Sequence, residues 1–202
     1  MSENIQNWLS YGEKQVTTKD IRDNCLLFLI LALLYNAFRF HRFTITATDI
    51  LLLALTVYLG IKARNKKAVK ETFLFNGFTG MCLVYRFYAM SWLFSTISGA
   101  DPIHTALLYT AIFLLLTFLL CKYLNNKIAQ NGFSAEYRAP GKAAPLIGAM
   151  LGTSLSPLLF RSVSQQNAHI IIAVISLFLA AVAQFSINPV LKYLTCLKYE
   201  KT

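Results

Sequence analysis

Carboxylates are few in this chain: nine Asp and Glu stand against nineteen Lys and Arg in 202 residues. None is expected deep inside an apolar run, since Asp49 reads as a cap at the end of one, so no ion pair is expected within the membrane-embedded part. Cysteine is also sparse. The four thiols include no CxxC pair, and none falls in a predicted outer loop, which argues against structural disulfides and against a metal or redox centre. The chain has no HExxH, no Walker-type phosphate loop and no carboxylate pair within a span. The stretch Gly152 to Ser156 lacks the Gly-x-Ser-Gly setting of an intramembrane serine nucleophile. With no catalytic motif, the expectation is a noncatalytic protein that needs no metal or cofactor. The first 24 residues are polar and lack the pattern of a cleaved signal, so the first helix is expected to be retained.

What the chain has in quantity is apolar sequence. Hydrophobic residues make up 56%, charged residues only 14%, and mean hydropathy is +0.51. That excludes an ordinary soluble domain. Six apolar runs stand near residues 25–40, 47–62, 72–97, 103–122, 143–160 and 168–188. Their lengths suit helices crossing a hydrocarbon layer about 30 Å thick.

The seven polar stretches around these runs alternate in charge. Fifteen of the nineteen cations fall in the first, third, fifth and seventh, including the dense cluster Lys62, Arg64, Lys66, Lys67 and Lys70. The intervening stretches hold only Arg39, Arg42 and Arg161. This bias is the positive-inside pattern. It predicts an all-α polytopic membrane helical bundle of about six spans, with amino and carboxy termini cytoplasmic, in a cell (inner or plasma) membrane. Residues 1–202 are read as one integral membrane domain, with a cytoplasmic or interfacial tail over 1–23 and a cytoplasmic loop over 123–142. The same pattern accounts for the net charge of +10 without nucleic acid, and points to anionic inner-leaflet lipids as partners.

Several local signals place helix ends. Thr17 and Asp20 have capping-box spacing and start the first helix near residue 18, while Thr48 or Asp49 is expected to cap the second. Ser98-Gly99-Ala100-Asp101-Pro102 predicts a tight outer turn. Ala144, Gly148, Gly152 and Ser156 form a small-residue ridge, and Ser176 and Ala180 repeat its spacing on the last span. Pro189 is expected to close that span, with Leu191, Leu194 and Leu197 then lying on the inner leaflet. Ahead of the first run, Ile5, Trp8, Leu9 and Tyr11 suggest an interfacial cluster.

Arg86 is the leading candidate for function, because an ionisable residue inside a span is costly and tends to face protein or a water-filled cavity. It is expected in the outer half of the third span, snorkelling outwards or hydrogen-bonded to Asn36. Arg39, His41, Arg42, His104, Arg161 and His169 are all expected at the outer face, where converging histidines could sense pH or bind a metal. Two readings follow. The leading one is a noncatalytic membrane subunit (sensor, scaffold or protective component) that assembles with itself or with a soluble cytoplasmic partner through the basic face and the 123–142 loop. The alternative is a small-solute or ion transporter or channel with Arg86 lining an outward-facing cavity.

Overall fold

The computed structural model describes residues 3–10, 15–41, 43–66, 68–130 and 164–200, and these are helical with no strand. In chain order the helices are α1 (Glu3–Ser10), α2 (Thr18–Phe40), α3 (Ala47–Lys66), α4 (Val69–Ile97), α5 (Pro102–Ala129), α6 (Gln165–Ala183) and α7 (Ile187–Glu200). A 3-10 turn over Gln184–Ser186 joins α6 to α7. Three stretches are long and apolar enough to cross a membrane: Thr18–Phe40, Pro102–Ala129 and Gln166–Tyr199. The small-residue ridge, Arg42, Lys67 and Arg161 lie outside the described residues.

Helix ends follow local chemistry. The Thr17 side chain accepts from the Asp20 N–H at 3.2 Å, and the Asp20 carboxylate accepts from the Thr17 N–H at 2.8 Å, completing the expected capping box. At α3 the cap differs from expectation. The helix begins at Ala47, and the reciprocal bonds join Thr46 and Asp49: Thr46 N–H donates to Asp49 Oδ2 at 3.0 Å, and Asp49 N–H to Thr46 Oγ1 at 3.3 Å. Thr48 is passed over because only Thr46 stands three residues ahead of an acid.

The tight turn after α4 forms as expected, with Gly99 at φ 97°, a conformation that favours glycine. Asp101 then caps α5, accepting from the His104 N–H at 2.8 Å, with Pro102 at the first helical position. The Asp101 carboxyl is held below its ordinary value of 3.8, first by that backbone N–H and then by the His104 side chain. A depressed carboxyl stabilises the fold above its ordinary value, and that contribution is lost as pH falls through the lowered one. The protection of amides over the first turn of α5, taken relative to intrinsic exchange, is therefore expected to fall below about pH 4, an effect absent in Asp101→Ala. Equal pH dependence in the two proteins would remove the cap from this account.

α4 is the hub, in contact with α2, α3, α5, α6 and α7. Its polar residues Asn76, Thr79, Arg86 and Ser91 make it a poor lipid-facing helix, and its neighbours cover most of them: Thr79, Arg86 and Ser91 are buried. The small face of the last span, Ala173, Ser176 and Ala180, is buried, and Ser91 Oγ donates to the Ala173 carbonyl at 2.8 Å.

Pro189 does not close this span. The proline has no N–H for the carbonyl four residues back, the backbone tightens into the 3-10 turn, and the helix resumes through Glu200. α7 consequently does not lie apart on a leaflet. Val190 packs at Gly77 and Lys192 sits over the Phe73 ring, so it runs antiparallel along α4. Trp8 and Leu9 of the amino-terminal cluster are likewise drawn into the bundle, Tyr11 lying outside the described residues: Trp8 is 4% exposed, packs with Leu124 and donates to Asn188 Oδ1 at 3.0 Å.

Candidate functional site at a buried ion pair

Arg86 does not reach the outer headgroups. It is 3% exposed, and its guanidinium is ion-paired with Asp49, which is fully buried. The expectation that no carboxylate is available to pair with Arg86 is thus overturned, because Asp49 is carried inward on the first turn of α3 and folded against α4. Asp49 Oδ1 faces the guanidinium. Its other oxygen, Oδ2, accepts from Thr46 N–H, from Thr46 Oγ1 at 2.7 Å and from Asn36 Nδ2 at 2.8 Å. Asn36 also donates to the Thr44 carbonyl at 2.9 Å. It therefore assists Arg86 through the carboxylate, tying α2 and the α2–α3 connection to the pair.

The remaining faces of the guanidinium are aromatic. Phe28, Tyr35 and Tyr85 place their ring centroids 5.0, 5.5 and 5.5 Å from Cζ. Such rings stabilise a desolvated cation electrostatically. Arg86 Nε makes no hydrogen bond and is buried among these groups. A second ion pair marks the opposite end of the α3–α4 hairpin, where buried Glu71 meets Lys62 at 3.1 Å and Lys66 at 3.9 Å. Part of the basic cluster is therefore spent on an internal acid. Arg64 is exposed, whereas Lys70 is half-buried.

The described outer-face candidates Arg39, His41, His104 and His169 do not assemble around Arg86. Arg39 is exposed, donates to Tyr35 Oη at 3.2 Å and lies over the Phe40 ring. His41 forms the left-handed end of α2 at φ 53°. His104 pairs with Asp101 at 2.7 Å, and His169 packs against Phe94 with centroids 5.8 Å apart. No group of three or more His, Cys, Asp or Glu that could hold a metal occurs among the described residues.

A second polar centre went unmarked as a helix tie in the sequence. Gln184 is fully buried at the 3-10 turn, donates to the Phe113 carbonyl at 2.7 Å and to Thr117 Oγ1 at 2.6 Å, and accepts from Tyr88 Oη at 3.2 Å. It joins α4, α5 and the last span. Bonds between helices in lipid average about 0.6 kcal/mol, so Gln184→Leu is expected to cost about 1–2 kcal/mol and Tyr88→Phe about 0.5 kcal/mol. Reversible unfolding in bicelles or mixed detergent measures both. Equal losses would mean that the Gln184 amide N–H bonds contribute nothing.

A scan against protein-family models finds no match, and neither curated proteins nor solved structures give one.

Proposed function

We propose that the chain is a noncatalytic integral membrane subunit, a scaffold or sensor, that assembles with itself or with a cytoplasmic protein. The observation that carries this reading is the use made of Arg86. Its charge is consumed by Asp49 and three rings, and it joins three helices. A transport role through Arg86 needs that cation exposed to an aqueous vestibule, and only 3% of it is accessible.

The proposed topology is six crossings of a cell membrane with both termini cytoplasmic. Support comes from the relative directions of the helices. α2, α3, α4 and α5 alternate, but α5 and α6 run parallel: Gln166 bonds the Ser98 carbonyl beside the start of α5, Gln184 meets Phe113 and Thr117, and Leu191 packs with Leu124 near its end. The end of α5 and the start of α6 therefore stand at opposite ends of the bundle, about 42 Å apart at 1.5 Å per residue, as an odd number of crossings between them requires.

Purification in gentle detergent, with mass determination and reconstitution of the same sample, tests the function. The expected outcome is a defined oligomer or stoichiometric complex with no solute flux above empty vesicles. A flux that is abolished in an Asp49→Leu/Arg86→Met double variant of unchanged assembly overturns the proposal in favour of transport.

A further inference from the structure

We infer that a groove of about 270 Å³ between α1, α5 and α7 binds the headgroup region of one anionic phospholipid. This rests on the membrane-subunit reading, which puts these three helix ends at the cytoplasmic boundary. The floor is apolar, formed by Trp8, Leu124, Ile128 and Leu191, and suits the ester region and first methylenes of an acyl chain. The rim is polar. Lys198 and Asn125 line it, with Tyr199 beside them, a pattern suited to a phosphodiester at the water interface.

Charge complementarity favours an anion. Lys192 is buried behind Trp8, its ammonium 5.9 Å from the indole centroid and 3.4 Å from the Leu9 carbonyl, while Lys122 and Lys127 stand on the same end of α5. The cradle is held by specific bonds: Trp8 Nε1–H to Asn188, and Asn4 Nδ2 to the Ala129 carbonyl at 3.3 Å. A lipid fits better than a peptide because the groove opens at the foot of α5, whose Leu115, Phe118 and Leu119 are exposed along its length.

Trp8 provides the readout. The chain has two tryptophans, so Trp92→Phe leaves Trp8 as the sole indole at the groove. This protein is reconstituted in vesicles containing phosphatidylglycerol or phosphatidylcholine brominated on the acyl chains, at equal mole fraction. Trp8 is expected to be quenched preferentially by the brominated phosphatidylglycerol. Lys198→Gln lowers the preference about fivefold, the equivalent of about 1 kcal/mol for one lysine at an anionic surface, and Lys198→Arg retains it. Arg64→Gln, an exposed cation of the remote cluster, leaves it unchanged.

Three outcomes overturn the site. Equal quenching by both lipids means bulk contact only. An equal loss in Arg64→Gln and Lys198→Gln means diffuse surface potential. Protection from both lipids and from aqueous acrylamide means that no lipid enters the groove, because Trp8 is already shielded from water by the bundle itself. Quenching by acrylamide but by neither lipid is a different failure: this end of the bundle then lies in water, and the membrane-subunit reading of it falls first.

Discussion

Asp49→Ala is expected to cost about 3–5 kcal/mol, the loss typical when one partner of a buried pair is removed and the other charge is left behind. Arg86 would remain among Phe28, Tyr35 and Tyr85 with no counter-ion, and Asn36 Nδ2 would lose one of its two acceptors. The change also deletes one half of the α3 cap, and capping contributes about 1 kcal/mol. Arg86→Met should cost less. The Asp49 carboxylate keeps three donors on Oδ2, and methionine fills most of the space of the arginine stem.

The two changes together should cost less than Asp49→Ala alone, because the stranded cation is gone. Reversible unfolding of the four proteins in bicelles, arranged as a double-mutant cycle, gives the coupling directly. Additive losses would show that the pair is incidental and that Arg86 is free for another role.

Much of the bundle was legible in the sequence because it depends on local or periodic signals. The Thr17–Asp20 box started α2 where the spacing said, and the Gly99 turn and the buried Ser176–Ala180 face follow from residue type alone. The ion pair was hidden by treating each helix separately. Asp49 has the spacing of a cap, which it is, and nothing within its own helix marks it as a counter-ion. Yet Asp49 lies seventeen residues before Lys66 and Arg86 seventeen after Val69, so an antiparallel hairpin turning between those residues brings the two to the same level. That register was available in the sequence. The docking of α1 and α7 was not, because Trp8 and Asn188 are 180 positions apart and no periodicity links them. Pro189 misled for a physical reason: a proline can be absorbed by one tightened turn when neighbouring helices hold the backbone on course.

Gly80→Ala is the smallest change expected to disturb the packing of the last span. A Cβ on residue 80 would stand 2.1 Å from Cβ of Ser186 and 2.5 Å from its Oγ. Cβ is fixed to the backbone, so rotation cannot relieve the clash, and the turn must move away from α4. Overpacking of this kind costs about 1–3 kcal/mol. The displacement should propagate, since Gln184 two residues earlier ties α5 to the same turn, and Asn188 two residues later holds Trp8.

Ser186→Gly supplies the counter-test. Its hydroxyl is buried without a hydrogen-bond partner, so deleting it breaks no bond, and the next atom facing residue 80 is the Ser186 Cα at an ordinary 3.5 Å. The added glycine costs about 0.5–1 kcal/mol in backbone entropy. Gly80→Ala/Ser186→Gly is therefore expected to recover most of the stability lost in Gly80→Ala. In a Trp92→Phe background, Trp8 emission should shift to the red in the Gly80→Ala variant and return when Ser186→Gly is added, because the indole regains its seat against Asn188. If Ser186→Gly instead adds its own loss to that of Gly80→Ala, with no recovery of Trp8 emission, the 3-10 turn does not pack on Gly80 and the antiparallel seam between α4 and α7 is wrongly aligned.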